Sequence, residues 1–128
     1  MTIEDGLRTH LIADAPVTAL VVARIYPLKL PQNPTYPALT YEIISDIHSR
    51  GLAGDNAREV VRVRIHCWAE TYTGAIDLAT KVKTAVADFS GLMGTTKVSS
   101  VKFETWNDIF EDVPEVYRRA ADFMIAHT

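Results

Sequence analysis

One cysteine, Cys67, is all the sulfur chemistry that the 128-residue chain offers beyond methionine. An intramolecular disulfide is therefore excluded, and a reducing compartment is the expectation. Basic residues are outnumbered by acidic ones, 13 to 16. That balance removes the electrostatic case for a free nucleic-acid binder, which needs a cationic surplus to displace counterions. No run approaches the length of apolar chain that spans a bilayer, and the opening MTIEDGLRTHLIADA lacks the basic start and apolar core of a secretion signal. No glycine-rich phosphate cradle occurs. The four histidines, His10, His48, His66 and His127, are scattered, with no acid or thiol at metal-ligand spacing. Metal, cofactor and catalytic residues are accordingly expected to be none.

The chain does hold enough apolar residues, 48%, for one core without staples. Thr2 and Asp5 approximate a capping box, and Ile3, Leu7, His10 and Leu11 share a helical face as far as Pro16. Residues 38–45 read as a strand. Residues 59–70 alternate, with Val61, Val63, Ile65, Cys67 and Ala69 facing inward and Arg62, Arg64, His66 and Trp68 outward. The intervening residues 46–58 contain Gly51, Gly54, Asp55 and Asn56 and read as the projecting tip of a long hairpin, ordered by contact with a partner. A helix capped by Thr71 or Thr73 then runs to about Phe89 on the stripe Ala75, Leu78, Ala79, Val82, Val86, with Gly91 as its terminator. Strands near 98–106 and 116–127 flank an acidic loop at 107–115. These elements predict one α+β domain over 1–128, a two-layer sandwich. Its four-stranded, mainly antiparallel sheet is covered on one face by one long and one short helix.

Three features exceed what such a fold requires. "VARIYPLKLPQNPTYPALTYEII" (22–44) carries Pro27, Pro31, Pro34 and Pro37 with Tyr26 and Tyr36 among them. Proline fixes its own φ and extends the residue before it, so 27–37 is a stiff connector. It either reaches a neighbouring molecule or shields the sheet's own edge. Second, read in phase, the uncovered sheet face gathers Arg62, Arg64, His66, Trp68, Lys102, Glu104, Trp106, Arg118 and Asp122. It is either a solvated face or, given its tryptophans and arginines, an interface. Third, Glu104, Asp108, Glu111, Asp112 and Glu115 form the densest acid group without the glycine and alternation of a calcium loop. A solvated loop, a partner for arginines and the lining of a channel all fit it.

"ADAPVTALVVARIYPLKLPQNPTYPALTYEIIS", "RVRIHCWAETYTGAIDLATKVKTAV" and "FETWNDIFEDVPEVYRRAADFMI" together resemble, in order and over nearly the whole chain, the tail-completion (tail-terminator) proteins of long-tailed bacteriophages and phage-derived gene-transfer particles. The resemblance implies a structural virion protein, assembled in the host cytoplasm. It implies a hexameric ring at the head-proximal end of the tail that stops tube polymerisation and meets the head connector. Its partners would be itself, the tail tube protein and the connector protein, with DNA passing through unbound and no membrane involved. Arg24, Tyr26 and Pro27 of the turn and Tyr117, Arg118 and Arg119 of the last strand match the family pattern. Contact candidates are Arg24, Tyr26, Pro27, Pro31, Pro34, Tyr36, Arg62, Arg64, Trp68, Trp106 and Arg118; Glu104, Asp108, Glu111, Asp112 and Glu115 are candidates for the ring's lumen. The alternatives are a small cytosolic hydrolase or isomerase using a carboxylate with His66, and a monomeric adaptor.

Overall fold

The computed structural model describes residues 2–49, 58–111 and 115–127. Helix α1 (Ile3–Ala13) starts where the Thr2 hydroxyl accepts the Asp5 N–H at 3.2 Å and donates to the Asp5 carboxylate at 3.0 Å. Asp14 follows it and caps α2 (Ala15–Val21) by accepting the Val17 N–H at 3.2 Å. Pro16 sits in the first turn of α2, where its missing N–H is not needed. It therefore opens a helix rather than only closing one. The chain continues through β1 (Ile25–Pro27), β2 (Ala38–Ser49), β3 (Arg58–Ala69), α3 (Tyr72–Val86), β4 (Gly91–Met93), β5 (Thr96–Glu111) and β6 (Val116–His127).

The sheet has six strands in the order β1-β2-β3-β6-β5-β4 and is mixed, because β1 runs parallel to β2 while the other pairs are antiparallel. This corrects the four-stranded expectation, and three helices replace the expected two; the class remains α+β. The two extra strands are the short edges, three residues each. Three residues show no periodicity, and Pro27 is tolerated in β1 because an edge strand has one side without a ladder partner. The acidic "loop" is also corrected: β5 continues as strand to Glu111, paired with Val116. Of the anticipated hairpin tip 46–58, residues 46–49 and 58 belong to β2 and β3, and 50–57 lie outside the described residues. Gly91 opens β4 at φ +132°, and α3 ends earlier, with Ala87 as its cap and Asp88 at φ +61°.

One core fills the space between helices and sheet. Leu7 and Leu11 of α1, Val17 and Val21 of α2 and Leu78, Ala79, Val82 and Val86 of α3 meet Leu39, Val61, Val63, Ile65, Ala121, Phe123 and Ile125 of the central strands. Cys67 is buried in the same layer, and desolvation pushes its thiol far above the ordinary range, so it behaves as a small apolar group. Ladder register shifts three times, leaving Ile44, Ser99 and Glu104 unpaired. Each extra residue reverses which side chains face the core beyond it. Val98 and Val101 are both buried although three positions apart, because Ser99 lies between them.

Candidate functional site

The sheet face away from the helices is built from pairs in register. Arg64 sits opposite Asp122 and Arg62 opposite Met124. Both guanidiniums converge on the Asp122 carboxylate: Arg64 Nε donates to Oδ1 at 2.8 Å, and Arg62 Nη2 donates to Oδ2 at 2.9 Å. Asp122 is only 1% exposed, yet charged. Burial alone would raise its pKa, but hydrogen bonds from Arg64 and Arg62 outweigh that and hold it below the ordinary carboxylate value.

One strand pair further along, the imidazole of His66 lies 3.0 Å from Glu42 Oε1. Desolvation lowers the His66 pKa more than Glu42 raises it, and Arg118 and Arg64 add to the lowering. The ring is neutral at physiological pH, and because a carboxylate only accepts, Nε2 carries the proton. Next in line, Trp68 Nε1 donates to the Thr40 hydroxyl at 2.9 Å, and the Arg118 guanidinium lies 4.7 Å from the Trp68 ring centroid. Arg118 is also 3.1 Å from Glu111. Charged and aromatic groups are thus held flat by one another across β2, β3, β6 and β5.

Trp106 is not on this face, contrary to the in-phase expectation. The bulge at Glu104 sets Trp106 opposite Ala121, on the helix side, where Lys83 and Arg119 lie 5.2 and 4.7 Å from its ring centroid and Phe103 packs edge-on at 4.9 Å. Lys102 remains on the open face, opposite Met124. Glu104 itself occupies the bulge, 4.0 Å from Lys102.

The same change of phase places Asp108 opposite Arg119, which donates to it through Nε at 2.6 Å, while the Tyr72 hydroxyl donates to the other carboxylate oxygen at 2.6 Å. The Arg119 bond lowers the Asp108 pKa, against desolvation and with help from Tyr72. Beside this cluster, Tyr72, Asp108, Ile109, Phe110 and Tyr117 line a notch of about 320 Å³. Its rings stack in series, Tyr72 to Tyr117 at 5.8 Å and Tyr117 to Phe110 at 4.9 Å, with Tyr72 and Phe110 well exposed. Composition alone could not reveal this notch, since it depends on the bulge that brings residues 108 and 110 to the side of α3's first turn. Glu115 is exposed in the adjoining turn, and Asp112 lies outside the described residues.

The connector is anchored at both ends. Arg24 Nε donates to the Pro37 carbonyl at 2.9 Å and Nη2 to the Leu20 carbonyl at 3.2 Å. Leu28 N–H donates to the Tyr41 carbonyl at 2.9 Å. Tyr26 pairs with Thr40 inside β1–β2. Tyr36 and Pro37 line a cavity of about 210 Å³ with Leu20, Ala69, Glu70, Thr71, Gly74 and Asp77. Pro27, Leu28 and Pro31 are exposed, and Pro34 is half-buried. Leu28 is held at φ +66° with 72% of its surface in water.

The two cavities just described include neither His66 nor Glu42. Among the described residues, no group of three or more His, Cys, Asp and Glu is placed to hold a metal, and no helix is long and apolar enough to cross a membrane. Fold and surface together define a small α+β domain whose conspicuous chemistry is laid out on open faces and edges, as in a protein that works by contact.

The chain belongs to the family described as tail completion protein gp17, whose model matches residues 5–128. It is a structural component of a virion, of the bacteriophage-tail class. Among solved structures, a chain from "Virion of native gene transfer agent (GTA) particle" shares the fold at a TM-score of 0.71 and 17% identity, covering 94% of this chain and 90% of that one. No curated protein sequence matches.

Proposed function

We propose that six copies of this chain close a ring at the head-proximal end of the tail tube, stop further addition of tube subunits and present the surface that meets the head connector. The observation that carries this reading is the preorganised open face from Thr40 to Asp122. Its arginines, tryptophan and histidine are already fixed by partners within the sheet. Binding through it requires little further ordering, which is the condition for a specific contact without a cleft. Family membership supplies the biological setting.

Arg62, Arg64, Trp68 and Arg118 are the contact residues of that face. Trp106, held on the helix side beneath Lys83 and Arg119, supports the sheet rather than the contact. The connector, residues 27–37, lies against the next subunit in the ring. The lumen is mixed in charge rather than purely acidic, since Glu111 is neutralised by Arg118 of β6 and Glu104 approaches Lys102. DNA passes through such a lining without adhering, so strong and salt-sensitive DNA binding by the purified ring contradicts this reading.

The direct test is electron microscopy of tails assembled with and without the protein. Overlong tubes that fail to join heads are expected in its absence. Tubes of normal length and full head attachment would remove the terminator role. Loss of Arg62 and Arg64 together, as alanines, is expected to give the same overlong tubes from a folded protein.

A further inference from the structure

Two of the exposed apolar residues sit in backbone conformations that side chains of their kind avoid. Val22 caps α2 at φ +58° with 62% of its surface exposed, and Leu28 lies just past β1 at φ +66° with 72% exposed. A β-branched or bulky residue at positive φ is strained and persists only where the surroundings impose it. Here they do. The Leu28 N–H is fixed to the Tyr41 carbonyl and the Lys29 N–H to the Pro27 carbonyl at 2.7 Å. The strained turn presents a leucine to water next to an exposed lysine, and nothing in the core gains from it.

At the other side of the sheet, the notch of Tyr72, Asp108, Ile109, Phe110 and Tyr117 is apolar in its walls, its Asp108 is already held by Arg119 and Tyr72, and the exposed Glu115 lies in the turn two residues before Tyr117. Its size, about 320 Å³, admits a leucine side chain with room to spare. Knob and notch are complementary in both respects: apolar against apolar, and Lys29 against the exposed carboxylate of Glu115. They cannot meet within one molecule. β1 and β5 are separated by β2, β3 and β6, four interstrand steps or about 19 Å across the sheet.

We propose that Leu28 of one copy seats in the aromatic notch of a second copy of this chain, with Lys29 against Glu115. Because donor and acceptor lie at opposite sides of the sheet, the contact is head-to-tail, and its repetition about an axis closes a ring. This rests on the ring reading above and names the junction by which the ring is built. The acids along β5 serve a second purpose in this arrangement. Glu104, Asp108 and Glu111 are charged residues on the part of β5 that β4 does not pair with, and charges along an exposed strand edge disfavour its pairing with another strand edge.

The test uses Leu28→Asp, Phe110→Asp and their equimolar mixture, with mass read by native mass spectrometry and folding by circular dichroism. Wild type is expected as a closed oligomer, and each folded variant as a monomer of 14.2 kDa. The mixture is expected to form a dimer of twice that mass and nothing larger. Only the intact Leu28 of the Phe110→Asp chain and the intact notch of the Leu28→Asp chain can then join. Variants that assemble as wild type does, or folded monomeric variants that do not dimerise when mixed, overturn the junction and leave the ring standing. A wild type that stays monomeric at high concentration removes self-docking and the ring together. Should either single variant fail to fold, the charge pair Lys29→Glu and Glu115→Lys replaces it, with weakened assembly expected from each alone and recovery in the double variant; unchanged assembly in both singles overturns the junction.

Discussion

Replacing Asp122 by asparagine removes one negative charge and almost no volume, which isolates the electrostatic role of the carboxylate on the open face. Two guanidiniums would remain side by side over a neutral amide, after donating to both carboxylate oxygens in the native protein. Breaking a buried ion pair by deleting one partner costs about 3–5 kcal/mol. Arg62 and Arg64 keep 33% and 32% of their side-chain surface in water, so their stranded charges are partly solvated. The expected loss is therefore about 2–3 kcal/mol at neutral pH, or roughly 8–12 °C in Tm for a domain of this length. The loss must also depend on pH in a fixed sense. Burial raises the Asp122 pKa, the Arg64 and Arg62 hydrogen bonds lower it more, and the folded value ends below the ordinary 3.8. A depressed acid contributes stability that is complete above its unfolded pKa and is lost as pH falls through the folded one. Urea unfolding of wild type and Asp122→Asn is thus expected to differ most above the ordinary value of 3.8 and to converge as the pH falls below it through the folded-state value. Equal stability at neutral pH, or a gap that stays constant down the acid range, refutes the view that Asp122 is the counter-charge organising this face.

Three further perturbations address other parts of the fold. Gly6→Ala replaces a poor helix former by the best one, yet a Cβ at that position would run into the Met93 backbone carbonyl of β4; overpacking of this kind is expected to destabilise by about 1–3 kcal/mol despite the better propensity, as read by thermal unfolding. Deleting Glu104 removes the one residue outside the ladder there and leaves Phe103 opposite Phe123, Thr105 opposite Asp122 and Trp106 opposite Ala121, so Trp106 is expected to stay on the helix side with unchanged tryptophan emission; a red shift would deny that Glu104 is the residue that sets the phase. His66 is buried and its pKa lowered, so its neutral form is the one the fold favours; stability is expected to decline as pH falls below about 6.5, and His66→Gln is expected to flatten that decline, with the His66 ring titrating by NMR below the ordinary value.

What could be read from the sequence follows closely from the length of each pattern. β3 alternates over twelve residues, and α3 repeats an apolar stripe through fifteen, so period and length agree and the inward faces follow directly. Thr2, Asp14 and Thr71 all cap helices through side-chain oxygens, and two of the three signals were legible because the residue type and the downstream apolar spacing coincide. β1 and β4 carry no such statement. Three residues fit any backbone state, and their strand character comes from neighbours, Leu39 to Tyr41 in one case and Thr96 to Val98 in the other. The connector was legible as stiff and extended, but proline content says nothing about where a chain is tied. The anchors are the Arg24 side chain and the Tyr41 carbonyl, which are fixed only once β1 lies beside β2.

The bulges mark a different limit, one of phase rather than of length. Alternation assigns faces correctly only while each residue has one partner across the ladder. On β3 that condition holds to β6 from Glu59 to Ala69, and Arg62, Arg64, His66 and Trp68 fall together. On β5 it fails twice, at Ser99 and again at Glu104. An extra residue reverses the face, and a second one restores it, so Lys102 and Thr105 lie on the open face while Phe103 and Trp106 lie on the helix side. The consequence reaches the aromatic notch itself. Without the shift at Glu104, Asp108 would face away from Arg119 and Tyr72, Phe110 would leave Tyr117, and the notch would not exist. A single unpaired glutamate therefore divides β5 into a stretch that serves the fold and a stretch that builds an aromatic socket. The acids that read as one charged loop belong to ion pairs on two different faces, with Asp108 held by Arg119 on one and Glu111 by Arg118 on the other.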